Sequence, residues 1–349
     1  MTTNGWKREA LAVAGAGAFL AARAALKRWR EYSLRDKVVL ITGGSRGLGL
    51  ALAREMARAS ARLAITARDA AELERARAQL NQCGARALAL VSDVTDRAQV
   101  DEMMRTVCDH LGPVDVLVNN AGTIEVGPME VMTLEDYERA MRTHFWAPLY
   151  TTLAALPDMR RRRAGRIVNI SSIGGKISVP HLLPYSASKF ALVGLSEGLR
   201  AELKKDGIIV TTVCPGLMRT GSPRHAMFKG QHRAEYAWFS ISDSLPITSM
   251  SAERAARQII AAIRRGDAEI VLSIQAKLAV LFHGLFPGLT ADLMALVNSL
   301  ALPGPNGIGT ALAKGADSSS SLSPSLLTAL SDRAAQRNNE LGQGTSGMR

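Results

Sequence analysis

The chain has 349 residues, about twice an ordinary domain, with 47% hydrophobic and 21% charged residues; that balance supports a packed core and excludes a disordered or collagen-like chain. Three widely spaced cysteines, Cys83, Cys108 and Cys214, include no Cys-x-x-Cys pair, which argues against a disulfide scaffold or zinc module and suits a reducing compartment. The net charge of +12 is local: residues 1–37 hold eight Lys/Arg against three acids, and a second cluster runs from Arg160 to Arg166. With no recognition motif beside it, this charge does not indicate a nucleic-acid binder.

Ala10–Ala22 is an apolar run of thirteen residues, short of the roughly 20 that span a bilayer. Beyond it Phe19, Ala22, Leu26 and Trp29 share one helical face and Arg23, Lys27 and Arg30 another. Residues 6–30 therefore read as a helix lying on a membrane surface, within an amino-terminal unit 1–33. Two rivals stay open: a signal peptide opening on Lys7-Arg8, and a helix packed on its own domain or a partner subunit. A dinucleotide site follows at once, so the expected location is the cytoplasm, on the cytoplasmic face of a membrane if the helix docks there.

From residue 34 to 272, short β-branched runs alternate with amphipathic stretches. Strands are expected at Lys37–Thr42, Arg62–Ala67, Ala87–Val91, Val114–Val118, Gly165–Ser171, Ile208–Val213 and Glu269–Leu272, with helices such as Leu48–Ala59, Ala70–Asn81 and Ala98–His110 between them. Seven strands with helical crossovers imply a single α/β domain, a Rossmann-type doubly wound parallel sheet covered on both faces. Residues 217–250 have weak periodicity and several Gly/Pro residues; a segment this long after the sixth strand reads as a lid at the ligand-binding edge. Residues 273–302 form apolar helices split by Pro287-Gly288, and 303–349 read as a mostly disordered tail with one helix near 326–338.

The first strand runs into Thr42-Gly43-Gly44-Ser45-Arg46-Gly47-Leu48-Gly49 and then a helix. In that context the glycines permit a tight turn and let backbone N–H groups reach a pyrophosphate. The second strand ends Thr66-Ala67-Arg68 without a carboxylate to hold the adenosine ribose. Arg68, helped by Arg46, can pair with a 2′-phosphate, so NADP(H) is expected ahead of NAD(H). In the alternative, Arg68 is a solvated surface residue and Asp69 supplies the acid. Tyr185 and Lys189, at i and i+4 on a helical stretch, share a face. A nearby ammonium lowers a phenol's pKa from about 10, which would make Tyr185 a general acid/base. Ser172, ending the fifth strand, can donate to a substrate oxygen.

Together these motifs resemble the short-chain dehydrogenase/reductase family, in its short single-domain branch, over roughly residues 34–272. The resemblance rests on the glycine run, Asp93-Val94, Asn119-Asn120-Ala121-Gly122, Ser172, Tyr185 with Lys189, and Pro215-Gly216 followed by Thr220. It implies an adenine contact from Asp93 and Val94, and an Asn119–Gly122 segment that steadies the strand beside the cofactor. Lys189 would hold the nicotinamide ribose, and Thr220 the carboxamide or pyrophosphate. It also implies Tyr185 exchanging a proton with the substrate oxygen during hydride transfer, and a homodimer or homotetramer formed through helices near Thr133–Arg162 and Tyr185–Lys205. One departure is His144 where the family usually has Asn; it either holds a water or relays a proton, or only packs between helix and sheet. No metal is expected. The lid residues Leu217, Met218, Met227, Phe228, Tyr236, Trp238 and Phe239 suit a bulky hydrophobic carbonyl or alcohol, lipid- or steroid-like, unless they pack on one another. The expected function is carbonyl/alcohol oxidoreduction; a non-catalytic NADP-binding regulator on the same fold is the alternative. An epimerase or dehydratase relative would carry a different glycine spacing.

Overall fold

The structure is a computed structural model that describes residues 31–245, 248–320 and 328–341, with the isolated residues Glu9, Gly15, Ser323 and Ser325. The amino-terminal helix expected over 6–30 lies outside the described residues.

Seven parallel strands form the main sheet: β1 (Val38–Thr42), β2 (Arg62–Ala67), β3 (Ala87–Val91), β4 (Val116–Asn119), β5 (Gly165–Ile170), β6 (Ile208–Pro215) and β7 (Glu269–Leu272). Their order is 3-2-1-4-5-6-7, reversing direction beside β1. All seven expected strands are present, within two residues at each end. Alternation along the strands splits the core in two. Val39, Ile41, Leu63, Ile65, Val116 and Val118 face helices α1 (Gly47–Arg58) and α2 (Ala70–Gln82). Val38, Leu40, Ala64, Leu117 and Ile167 face α3 (Arg97–Leu111). On that same side α4 (Leu134–Met141) passes through a π turn, Arg142–Trp146, into α5 (Ala147–Arg162).

A buried polar chain crosses the middle of the sheet. Asn119 Nδ2 donates to Asn169 Oδ1 (2.9 Å), and Asn169 Nδ2 donates to Ser196 Oγ (3.0 Å) on α6 (Leu183–Leu203). Thr212 donates to the same serine, and Thr151 on α5 donates to Asn119 Oδ1. Each buried polar group thereby has its partner, and the ends of β4, β5 and β6 are fixed relative to α5 and α6. The arginine cluster is used locally: Arg160 pairs with Asp206, Arg161 with Asp158 and Arg162 with Asp115.

The lid is more regular than its sequence suggests. Strand Leu217–Arg219 pairs with Ser249–Ser251, enclosing α7 (His232–Ser244), and α8 (Ala252–Arg265) then leads to β7. The described residues beyond 303, in a region expected to be mostly disordered, pack into this lid and beside it. Ala313–Lys314 pairs with Met227–Phe228, which also pairs with Glu125–Val126. A later helix, Ala329–Arg337, lies close to the expected place. Composition alone did not reveal these pairings because they join segments far apart in the chain, Ala313 with Phe228 and Met227 with Glu125.

The apolar helices beyond β7 are α9 (Ile274–Leu285) and α10 (Pro287–Ala301), bent 119° at Phe286. Of their side chains only Ala276 and Thr290 are buried, while Leu278, Leu285, Phe286, Leu293 and Leu300 stand exposed. Among the described residues no single helix is long and apolar enough to cross a membrane, although this bent pair passes by length and composition.

Candidate active site

The parallel sheet brings the carboxyl ends of β1, β4, β5 and β6 to one edge, and the candidate residues lie along it. At β1 the chain turns sharply into α1 with Gly43 (φ 63°) and Gly47 (φ 54°) in the left-handed region. A Cβ at Gly49 would run into the carbonyl oxygen of Gly43, so this close approach requires glycine. Asn120 secures the turn from β4: its Nδ2 donates to the carbonyls of Thr42 and Gly43 (both 3.0 Å), while Thr42 Oγ1 accepts the N–H groups of Asn120 and Ala121. The sequence reading weighted Asn119; Asn119 holds the sheet, and its neighbour Asn120 holds the turn.

The other end of the same loop reaches Tyr185. A Cβ on Gly122 would press on the His144 ring, and the Thr123 N–H donates to His144 Nε2 (3.2 Å). That bond puts the imidazole proton on Nδ1, which donates to Ser188 Oγ (2.7 Å), and Ser188 donates on to the Tyr185 carbonyl (2.8 Å). The ring meets Tyr185 edge to face at 5.4 Å. Burial, with the Lys189 charge, holds the His144 pKa well below the ordinary imidazole value, so it is neutral. Both nitrogens are engaged, which favours the packing reading of His144 over a proton relay. The residue sits on the π turn between α4 and α5, a distortion that aims its side chain inward.

Ser172 caps the short 3₁₀ turn Ile173–Gly175, accepting the Gly174 N–H at 3.0 Å, and a Cβ on Gly174 would meet both the Tyr185 ring (3.1 Å) and the Ser172 Oγ (3.5 Å). Lys189 is buried one helical turn after Tyr185, its Nζ donating to the Ile170 carbonyl (2.9 Å) and lying 5.6 Å from the Tyr185 ring centroid. Burial pushes the Tyr185 phenol up to about 12, with Ser172 acting the other way. It pushes Lys189 down to about 7. The direction at Tyr185 is opposite to the sequence expectation, because burial of the phenol outweighs the ammonium effect, Lys189 being turned to a backbone carbonyl. The phenol therefore keeps its proton, as a proton donor must.

On the cofactor side, Arg46 Nη1 meets Glu72 Oε2 at 2.7 Å, and Ser45 Oγ donates to Glu72 Oε1. Arg68 is 75% exposed, 4.0 Å from Asp93. Asp69, the alternative acid, is occupied as the cap of α2, accepting the Glu72 N–H at 2.8 Å. Asp93 accepts from Thr95, and Val94 is buried beside it. Pro215 ends β6, Gly216 leaves 3.0 Å between an added Cβ and Ser273 Oγ, and buried Thr220 accepts the Ser222 N–H. Of the lid aromatics, Phe228, Tyr236 and Phe239 are buried against each other, so they form the lid's own core. Leu182, Val179, Trp238 and Tyr185 join the same cluster, giving Tyr185 an apolar wall. A buried pair the sequence did not suggest crosses that wall: His181 Nδ1 and Glu235 Oε1 are 2.7 Å apart, and Trp238 Nε1 donates to Glu235 Oε2.

These residues fit a nicotinamide dinucleotide: a glycine turn too close for side chains, a helix N-terminus, a cation in the turn after β1 and another beyond β2, and a Ser–Tyr–Lys group farther along the edge. Residues 37–227 match the short chain dehydrogenase family. The chain is 34% identical over 275 residues to dehydrogenase/reductase SDR family member 7B of Bos taurus, covering 77% of this chain and 83% of that protein. It is 36% identical over 184 residues to ketoacyl reductase HetN of Nostoc, covering 53% and 64%. Among solved structures it superposes on a point variant of actinorhodin polyketide ketoreductase with NADPH (TM-score 0.62, 31% identity, 68% of this chain, 95% of that one). A Streptomyces avermitilis short-chain dehydrogenase gives 0.63 at 32% identity, covering 75% of this chain and 96% of that one. The chain belongs to the short-chain dehydrogenase/reductase family, whose members are NAD(P)(H) oxidoreductases of small carbonyl and alcohol compounds.

If Lys189 supplies protons through Tyr185, kcat/KM for carbonyl reduction falls as pH rises through about 7, where Lys189 gives up its proton. Tyr185→Phe lowers it by at least about 10²-fold at every pH. His144→Asn keeps the inflection where it is; a pH profile that moves in this variant would show the imidazole carrying a proton.

Proposed function

We propose that this protein is an NADP(H)-dependent oxidoreductase that interconverts a hydrophobic ketone or aldehyde and its alcohol. The observation that carries the reading is the Ser172–Tyr185–Lys189 group, buried on the sheet edge that also bears the glycine turn. When bound, the dinucleotide supplies or accepts the hydride. Ser172, whose oxygen accepts from Gly174, keeps its own O–H to donate to the substrate oxygen. In reduction, Tyr185 gives its phenolic proton to that oxygen as the carbonyl π bond breaks, and buried Lys189 restores the proton. A non-catalytic regulator would have no use for this group.

Absence of an acid at the end of β2, use of Asp69 as a helix cap and the exposed Arg68 guanidinium just past that strand support NADP over NAD. The apolar wall around Tyr185 supports a lipid- or steroid-like substrate. A carbonyl panel followed by NADPH absorbance tests both points. Apolar ketones are turned over faster than sugars, and NADPH is preferred to NADH. Replacing Arg68 by alanine raises KM for NADPH about tenfold or more with little change for NADH, consistent with losing charge-assisted phosphate contacts. Preference for NADH in the unaltered chain would refute the NADP assignment.

A cytoplasmic homodimer held on a lipid surface is the arrangement we propose for the whole chain. Trp146, Leu153 and Phe190, exposed on the π turn, α5 and α6, support pairing through that face. The bare α9–α10 pair and the basic, apolar stretch 6–30 support lipid contact. Sedimentation of the full chain reads both: a dimer mass in buffer and co-sedimentation with anionic vesicles are expected. A monomer refutes the first, and full recovery in the supernatant refutes the second.

A further inference from the structure

The glycine turn is already in contact with the chain's own carboxyl-terminal segment. Helix Ala329–Arg337, here α11, packs on α7 and strand Leu217–Arg219, with Ala335 against Gly221. Beyond it the chain crosses the start of α1. The Gly47 N–H donates to the Asn338 carbonyl (2.9 Å). Asn339 Nδ2 donates to the carbonyls of Ser45 and Glu72, both at 2.9 Å, and Arg75 donates to Asn339 Oδ1. The Glu340 carboxylate lies 3.4 Å from Arg46 Nε and 3.1 Å from His225 Nε2. Its Oε1 is 2.8 Å from where a Cβ on Gly47 would stand, with Thr220 Cβ 3.8 Å from the same point. Asn338, Asn339 and Glu340 are all buried.

The groups engaged are the ones a dinucleotide's pyrophosphate needs: an amide at a helix N-terminus and the flanking arginine. Here a backbone carbonyl satisfies the amide and a buried carboxylate stands between Gly47 and Thr220. Two anions cannot share this seat, because they would repel and compete for one set of donors. We propose that residues 338–340 are an intramolecular plug, a self-inhibiting contact whose docking and the cofactor's pyrophosphate exclude one another. The inference rests on the dinucleotide reading of this turn. Apparent affinity then equals intrinsic affinity reduced by the fraction of chains with the plug withdrawn.

The test is calorimetric titration of NADPH and NADH into the full chain and into a double variant carrying Asn339→Ala and Glu340→Ala. With the plug docked about ten times in eleven, the variant binds both dinucleotides about tenfold more tightly, and equally so, since they share the pyrophosphate. Ala335→Trp, which pushes α11 off Gly221 without altering a polar group at the turn, gives the same gain. Hydrogen exchange of residues 336–341 in the unaltered chain accelerates when NADPH is added. Binding that is unchanged or weaker in the variants, or slower tail exchange with NADPH, overturns the plug while leaving the dinucleotide reading intact. Failure of every protein to bind either dinucleotide overturns both.

Discussion

The site depends on the close approach of Gly43 and Gly49 at the end of β1. Only hydrogen at Gly49 fits against the Gly43 carbonyl, and Asn120 holds that carbonyl and its neighbour from the adjacent strand. The turn thereby presents the first amides of α1 outward. It also sets the loop after β4, and through it much of the candidate site. Thr42 anchors Asn120 and Ala121, Thr123 anchors His144, His144 anchors Ser188, and Ser188 fixes the turn of α6 that carries Tyr185. A run of hydrogen bonds connects the glycine turn to Tyr185, and every member is a group that burial would penalise if unpaired.

Burial also sets the electrostatics. Tyr185 and Lys189 are both driven toward their neutral forms, one upward and the other downward. A phenol that keeps its proton beside a lysine that titrates near neutrality suits proton donation, with the lysine refilling the donor. Neutral His144 adds packing and orientation without a competing charge. The apolar wall of Leu182, Val179 and Trp238 maintains this desolvation from the lid side.

Much of this was legible in the residues. The period-two runs and the Gly-rich turn located the sheet and its ligand edge, because both signals are local. Ser172, Tyr185 and Lys189 were readable because one helical turn and one strand end fix their relative placement. The direction of the Tyr185 shift was not, since it depends on how deeply the phenol itself is buried. Asn120 escaped weight because its neighbour Asn119 carries the same side chain with a different duty. The docking of the described residues 303–320 and 328–341 left little local trace beyond the helix near 326–338: a Ser/Gly-rich composition describes a segment that cannot fold alone, and these residues pack onto the lid and α1. Glu72, Asn339 and Glu340 meet near the turn from positions separated by up to 268 residues, which no periodicity records.

The central claim is a hydride transferred at this edge with Tyr185 supplying the proton. Incubation of the full chain with NADPH deuterated at the transferable C4 position and an apolar ketone, followed by mass spectrometry of the alcohol, reads it directly. One deuterium on the carbinol carbon, with the rate of forming that alcohol cut at least about 10²-fold in Tyr185→Phe, is the predicted result. Alcohol formed without deuterium, or deuterium transfer undiminished by Tyr185→Phe, would contradict the account.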